Sequence, residues 1–483
     1  MIHVKRTDTL EMPSNAPPEW LYPCYPSRPI LLHKLGADVA RNVIGYDWQY
    51  LNPSRTRDEP TIALSAKRSW AEIDAMLPIL WHIRQTRPEL RLLVLAQDPL
   101  LRDTQNRFPA LMEIMQQTVD GLAFPRHDLT SGYKRRKVGS DGGRENVVTH
   151  TIRHWLTSTR LLGISRREFN NFQQQGVAGG SLVAMLRNHK PDTPVERRIL
   201  RANPQARAIS IHHGAHPVVR PEQRALPTAP GKGPYADVFL AKSEAESSLV
   251  SFQGTPEVVC VGTPKYDPAW LEHLTAMTAE GTERDAVRRF REQHGRCWLF
   301  LTRGPENSVM DPGDYDALLS ALRTVAQQRP DLGLLVKPHP KEDFHRLRQA
   351  LPGEEGKNWM FTGLPPYAAA QECDLAIAMW SSVILDAAAA RIPVVELYRF
   401  RRPNRYLCLS DDGKLSSTHT ASGLCRPASG PDDLEQLLGE WEVQGEIHAA
   451  WRAQGEVSRR VLGGVAGASL QKASNAVTTA RTP

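Results

Sequence analysis

Four short clusters in this 483-residue chain have the residue types to hold a phosphate and move a proton. Lys337-Pro338-His339-Pro340, Thr302-Arg303-Gly304, Trp380-Ser381-Ser382 and His212-His213-Gly214-Ala215-His216 each follow an apolar run. A lysine and a histidine set between prolines form a stiff strand exit, able to hold a phosphate whose charge grows as the bond to a transferred group breaks. Arg303 can add a fixed positive charge beside them, although a surface ion pair explains it equally well. Ser381 or Ser382 is predicted to cap the following helix, leaving backbone N–H groups and the positive end of the dipole for an anion. Asp386 lies four residues beyond Ser382 and leans back toward the helix start, within reach of ribose hydroxyls. One imidazole of the histidine cluster, titrating near neutrality, can take the proton from an attacking hydroxyl. Helix capping alone also accounts for the serines, and a loop histidine is often only solvated.

These clusters need strands to deliver them to one edge. Thr61 to Ala66 and Leu92 to Ala96 are short apolar runs, and between them Ile73, Met76, Leu77, Leu80 and Ile83 recur at helical spacing. Strand, amphipathic helix and strand in that order predict a parallel sheet covered by helices. The pattern blurs from Pro99 to Pro204 and returns with Ala208 to Ile211, Val238 to Ala241 and Val258 to Gly262. Past Pro264 and Pro268 the alternation becomes regular. Strands are predicted at Trp298 to Thr302, Gly333 to Lys337, Trp359 to Thr362, Leu375 to Met379 and Val394 to Leu397, with helices between them, including Ser382 to Ala390. The fold class expected is α/β, with two Rossmann-like domains facing across a cleft. In such sheets ligands bind at the carboxyl ends of the strands, where the four clusters lie.

Composition is that of an ordinary globular protein, with 41% hydrophobic and 23% charged residues. A formal charge of +7 favours anionic partners without choosing among them. None of the six cysteines forms a CxxC pair, and Cys260 and Cys297, within or beside apolar runs, are expected to be buried reduced thiols. No secretory apolar region opens the chain, so a cytoplasmic location is expected. The apolar stretch Asp374 to Tyr398 is broken by Asp374, Asp386 and Arg391 and reads as strand, helix and strand rather than a membrane span. No GxGxxG, P-loop or GxSxG motif occurs, which argues against dehydrogenases, P-loop kinases and α/β-hydrolases. The histidine cluster could also suggest a metal, but no carboxylate or cysteine stands at diagnostic spacing, so no metal and no cofactor are expected. The basic run Lys134 to Lys137 reads as a solvated loop, and no motif supports nucleic-acid binding.

His213-Gly214, VGTPKYD from Val261 to Asp267, LFLTR from Leu299 to Arg303, KPHP from Lys337 to Pro340 and MWSSVILDAAAARIPVVELY from Met379 to Tyr398 occur in this order. The series resembles the CDP-glycerol glycerophosphotransferases and capsule polysaccharide transferases of bacteria, and bacterial sialyltransferases carry similar HP and SS elements. The likeness covers about Ile209 to Tyr398. It implies a GT-B fold, metal-independent transfer and a donor bound mainly by the second domain. His213 would be the catalytic base and His339 would contact the donor phosphate. Arg303, Lys337, Ser381, Ser382 and Asp386 would complete the donor site, with Asp386 facing the ribose. The motif GTPKYD departs from the Arg-Asn-Asp ending common in glycerophosphotransferases, which speaks against glycerol phosphate as the transferred group.

The organisation expected is an acceptor-side domain over 1–270, a linker over 271–295, a nucleotide-donor domain over 296–445, and a terminal helix and tail over 446–483. The activity expected is transfer of a sugar or polyol-phosphate from a nucleotide donor, CMP- or CDP-linked, to a polysaccharide or lipid-linked acceptor. Because surface polymers grow on lipid carriers, peripheral association with the inner face of the plasma membrane goes with that reading. The alternatives are an isomerase of the UDP-sugar 2-epimerase type and a non-catalytic protein that binds nucleotide or polysaccharide.

Overall fold

The computed structural model describes residues 46–125, 172–213, 235–304, 310–400, 407–444 and 468–479, apart from 53, 68, 99–100, 102–104, 106–107, 190–191, 244–245, 247–255, 340–341, 343 and 410–412. Gly214 to His216, Pro340 and the basic run Lys134 to Lys137 therefore lie outside the described residues.

The first half forms an eight-stranded sheet from β1 (Tyr46–Tyr50), β2 (Thr61–Ala66), β3 (Arg91–Ala96), β4 (Gly121–Pro125), β5 (Leu182–Asn188), β6 (Arg207–Ile211), β7 (Val238–Ala241) and β8 (Glu257–Cys260), in the order β1-β4-β3-β2-β5-β6-β7-β8. Every pairing is parallel except β1 with β4. Strands buried on both faces must be apolar throughout, and every residue of TIALSA and RLLVLA is buried. Helix α1 (Trp70–Thr86) covers this sheet through Ile73, Met76, Leu77, Leu80 and Ile83, the residues whose spacing predicted it. Helices α2 (Pro109–Thr118) and α3 (Pro194–Ala202) follow β3 and β5 in the chain. The start of α3 is set by a capping box, in which Thr193 and Glu196 exchange side-chain to backbone bonds around Pro194.

The second sheet contains β9 (Arg296–Leu301), β10 (Leu332–Lys337), β11 (Trp359–Phe361), β12 (Leu375–Ala378), β13 (Val394–Leu397) and, after a hairpin of β14 (Leu407–Leu409) and β15 (Leu415–Ser417), β16 (Arg426–Ala428). Its order, β11-β10-β9-β12-β13-β16, is parallel throughout and is the Rossmann order. The strands and helices predicted after Pro268 are present within three residues at each end, and the hairpin is an insertion that the periodicity did not announce. Asp374 to Tyr398 is indeed strand, helix and strand, and among the described residues no helix is long and apolar enough to cross a membrane.

The stretch 271–295 consists of two packed helices. In α4 (Pro268–Met277) Trp270 and Leu274 enter the core of the first domain, whereas in α5 (Thr282–Glu292) Val287 and Phe290 enter that of the second. The chain changes domain between them. Helix α6 (Pro312–Gln327), α7 (Phe344–Ala350), α8 (Pro366–Ala370), α9 (Ile384–Ala389), α10 (Thr418–Ala421) and α11 (Pro431–Gln444) complete the second domain, and α12 (Ser469–Thr478) returns to the first. Leu470, Ala473 and Val477 of α12 join the first core. Fully burying a side chain such as Leu470 or Val477 contributes roughly 1.5–3 kcal/mol. Asp267 ties these pieces together, since Oδ1 caps α4 by accepting from the Ala269 N–H at 3.1 Å and Oδ2 accepts from the Leu470 N–H at 3.2 Å.

Cysteine placement corrects one expectation. Cys297 is buried, with Sγ 3.7 Å from Sγ of Cys373, but Cys260 is exposed. It belongs to β8, the last strand of the first sheet, where an apolar sequence is compatible with exposure because among the described residues no further strand covers that edge.

Candidate functional site

In each sheet the strand order reverses beside its first parallel strand, between β2 and β5 and between β9 and β12. Polar side chains stand at those carboxyl ends, and His213, Lys242 and Ser382 among them line one cavity where the domains meet. From the first domain come Asn188 at the end of β5 and His189 after it, His212 and His213 after β6, and Lys242 after β7. From the second come Thr302 and Arg303 after β9, Lys337 at the end of β10 with His339 beyond it, and Ser381-Ser382 beyond β12. One cavity of about 50 Å³ is lined by Asp74, His213, Lys242, Lys265, Tyr266 and Ser382 among others. Lys337 reaches toward the first domain as well, its Nζ 5.4 Å from the ring centre of Phe108. His213 and Ser382 thus share a wall of one cavity, and Lys337 spans the same junction.

The second-domain residues are held by a buried lattice of hydrogen bonds. Glu342 accepts from the Thr302 hydroxyl at 2.7 Å and from the Tyr315 hydroxyl at 2.8 Å. Thr302 Oγ1 in turn accepts from the His339 N–H at 3.1 Å, and the His339 carbonyl accepts from the Glu342 N–H at 2.8 Å. This stitches the KPHP loop to the end of β9. Arg303 lies over the Trp380 ring, with its guanidinium carbon 4.2 Å from the centroid, and donates to the Trp380 carbonyl at 3.1 Å. Trp380 has a φ of 30°, a backbone conformation disfavoured for a residue with a side chain, so Arg303 braces the strained turn that presents the two serines.

Those serines and Asp386 sit differently from the sequence-based expectation. Helix α9 begins at Ile384, is six residues long, and its N-cap is Val383 with no side-chain cap bond. Ser381 and Ser382 contribute their carbonyls to a preceding turn, accepting from the N–H groups of Ile384 and Leu385. Asp386 is buried and engaged. Lys265 Nζ lies 2.8 Å from its Oδ1 and 2.9 Å from its Oδ2, and the Tyr266 hydroxyl donates to Oδ2 at 3.1 Å. The same ammonium lies 2.5 Å from Asp74 on α1. Lys265 therefore clamps a carboxylate from each domain. Burial opposes its charge, but Asp386 and Asp74 outweigh it and hold the ammonium protonated well above the ordinary lysine range. The clamp stands on the 3-10 turn Pro264–Tyr266, entered through Gly262, whose φ of 81° suits a residue without a side chain.

Two other lysines are poised oppositely. Burial pushes Lys242 down to about 8, partly offset by Glu246, and pushes Lys337 down to about 8, partly offset by Glu283 and Asp74. A desolvated ammonium is strongly attracted to an anion that enters beside it.

Three imidazoles, His189, His212 and His213, have ring nitrogens within 4.8 Å of one another, close enough to raise the question of a metal. However, Asn188 Nδ2 lies 2.9 Å from His213 Nδ1 and 2.7 Å from Glu72 Oε1. A donor occupying Nδ1 leaves the ring proton on Nε2, and in that form His213 offers no lone pair to a metal. Sequence reasoning did not single out Asp74, Glu72, Asn188, His189, Lys242 or Glu246. The available signal was position, because His189 and Lys242 each directly follow an apolar strand, but β5 lay in the region whose pattern could not be ordered.

No protein-family model matches the chain, and no curated protein matches it. Among solved structures, the S. aureus MnaA–UDP complex superposes with a TM-score of 0.48 at 12% identity, covering 83% of this chain and 94% of that one. UDP-GlcNAc 2-epimerase from Neisseria meningitidis, bound to UDP-GlcNAc, superposes at 0.47 and 12% identity over 83% and 98% of the two chains. The wall teichoic acid polymerase TagF does so at 0.46 and 11% identity over 86% and 88%. The fold is of the GT-B type. Two Rossmann-like sheets face each other, and the terminal helix crosses back to the first.

Proposed function

We propose that this chain is a GT-B transferase that moves a sugar or polyol-phosphate from a nucleotide-activated donor to a hydroxyl of a polysaccharide or lipid-linked acceptor. One observation carries the reading. The carboxyl ends of the two sheets converge on a single junction, where the desolvated Lys242 and the His213 imidazole of one domain meet Ser382 of the other, whose KPHP exit carries the desolvated Lys337. That combination suits a phosphate that becomes more negative as it leaves, and it needs no metal to neutralise it. His339, Lys337, Arg303, Ser381 and Ser382 form the donor side, with Arg303 acting through the Trp380 turn. His213 belongs to the acceptor side. Asp386 is assigned to the interdomain clamp rather than to ribose, because Lys265 and Tyr266 occupy its carboxylate. The cavity of about 50 Å³ that joins His213 and Ser382 is smaller than the roughly 300–1,000 Å³ of a small-molecule site. The donor proposed is CMP- or CDP-linked, and the acceptor a bacterial surface polymer on its lipid carrier, reached at the membrane's inner face.

A thermal-shift panel of CMP, CDP, UDP, GDP and ADP tests the donor side. A ligand at about a hundred times its Kd stabilises the native state by roughly 2.7 kcal/mol, so the cognate nucleotide should raise Tm visibly and His339→Ala should reduce the rise. No response to any nucleotide would remove the basis of the proposal. A UDP-selective response followed by conversion of a UDP-sugar without acceptor would make the chain an isomerase instead.

The lysines add a pH signature. Lys242 and Lys337 are protonated below about pH 8, and a bound phosphate favours the charged form. Affinity for the cognate nucleoside diphosphate should therefore fall as pH rises through 8 and toward 10. Calorimetric titrations at pH 7 and pH 9.5 that returned the same Kd would show that neither ammonium touches the ligand.

A further inference from the structure

The cavity at the domain junction is bordered by two donors that the fold leaves unused. Lys242, the residue after β7, lines it and is only 9% exposed, yet among the described residues its Nζ makes no hydrogen bond or ion pair. Thr263 lines the same cavity, and its hydroxyl is buried with no hydrogen-bond partner among the described residues. β7 and β8 pair in parallel with Ala241 opposite Cys260, so the two residues leave neighbouring strand ends. Gly262, with its φ of 81°, turns the chain just before Thr263.

The other charges beside the cavity are engaged. Lys265 is held by Asp74 and Asp386, and the Tyr266 hydroxyl donates to Asp386. Glu246 favours the charged form of Lys242, but its Oε2 accepts from the Lys242 backbone N–H at 2.6 Å and its Oε1 lies 3.2 Å from His212 Nδ1. Lys67 shows how the same domain satisfies a buried ammonium, with Nζ 3.1 Å from Glu196. Leaving a desolvated ammonium and a buried hydroxyl unpaired costs stability that an incoming acceptor group returns. Burial lowers Lys242 only to about 8, so it is charged at neutral pH. An ammonium and a hydroxyl can both donate, and an ionised carboxylate or phosphate oxygen accepts from both. Size agrees with charge. About 50 Å³ has room for a few water-sized groups at roughly 10–15 Å³ each, the bulk of one carboxylate or phosphate rather than of a sugar ring.

We propose that Lys242 and Thr263 form an oxyanion subsite on the first-domain wall of this cavity, and that it holds a carboxylate or phosphate carried by the acceptor. This rests on the transferase reading and deepens it by naming the acceptor's chemical class. Apart from Ser382 and Val383, the residues lining the cavity belong to the first domain, the side given to the acceptor. His213 stands on that same wall. The donor phosphate has a cation of its own in Lys337, which belongs to the second domain. The acceptor is therefore acidic close to the hydroxyl it extends. A neutral glycan is selected against, because it would leave the ammonium buried and unpaired.

Saturation-transfer NMR on the full chain tests the subsite with matched pairs, glucuronate against glucose and glycerol 3-phosphate against glycerol. Each is measured alone and with the nucleotide selected by thermal shift at saturation. At least one acid should bind where its neutral counterpart does not, and it should stay bound beside the nucleotide. Which acid binds distinguishes a carboxylate from a phosphate on the acceptor. Lys242→Met should weaken that binding about tenfold or more and Thr263→Val about three- to tenfold, the scales of a charged and a neutral hydrogen bond. Lys242→Met should unfold in urea no earlier than the wild type at pH 7, which separates lost binding from lost structure. Failure of both acids to bind, equal binding of acid and neutral partner, or binding untouched by Lys242→Met would overturn the subsite. Displacement of the acid by nucleotide would also overturn it, by giving Lys242 to the donor phosphate. Acids that bind through Lys242 in a protein that binds no nucleotide would keep the subsite and contradict the transferase reading alone.

Discussion

Lys265→Met is expected to destabilise the protein by about 3–5 kcal/mol, the usual consequence of removing one member of a buried ion pair. Its ammonium is 2.5 Å from Asp74 and 2.8 Å from Asp386, and the Asp386 side chain is only 3% exposed. Without the cation two carboxylates from different domains face each other with Tyr266 as the remaining donor to Asp386. The strain falls on the contact between domains rather than on either core. Urea unfolding should show a lower midpoint, and small-angle scattering should show a larger radius of gyration as the domains separate. Lys265→Met combined with Asp386→Leu should recover much of the loss, because it removes the stranded charge with its partner. A single variant as stable and as compact as the wild type would mean that Lys265 is not the clamp.

Lys337→Met is expected to have two effects of opposite sign. Burial lowers Lys337 from 10.5 to about 8, which at roughly 1.4 kcal/mol per unit corresponds to a penalty of about 3 kcal/mol for keeping the charge in the fold at neutral pH. The sign follows from proton counts. Between pH 8 and 10.5 the unfolded chain holds a proton there that the folded one has released, so this group's penalty is full below 8 and fades as pH rises to 10.5. The variant should therefore be more stable than the wild type at pH 7, with the difference shrinking toward pH 10.5, while turnover falls by two orders of magnitude or more through loss of the donor-side cation. Denaturation at both pH values and steady-state rates test the two halves. A variant that is destabilised at pH 7 would assign Lys337 a structural role against Phe108, and one that keeps its rate would remove it from the donor site.

The outline of the second domain was legible because its strands are buried on both faces and its helices on one. RCWLFL, LGLLVK and LAIA can hardly be anything other than inner strands, and the polar residues at their ends had to fall on one sheet edge. The first domain was harder to read, because β5 and its neighbours lie amid polar and proline-containing segments. The exposed Cys260 shows the same limit from another side, since an edge strand and an inner strand can have the same apolar sequence.

By itself, the sequence determined two α/β halves, the lack of P-loop and dinucleotide-fingerprint motifs, and a set of phosphate-suited residues at strand ends, because periodicity and turn chemistry are local properties of the chain. Tertiary structure alone decided how those residues are employed. Asp386 meets Lys265 from 121 positions away, and Asn188 bridges Glu72 and His213 across separations of 116 and 25. Such contacts set which carboxylate is neutralised, which lysine is desolvated and which imidazole nitrogen carries a proton. Burial and hydrogen-bond partnership belong to the folded arrangement, and no local pattern of residues encodes them.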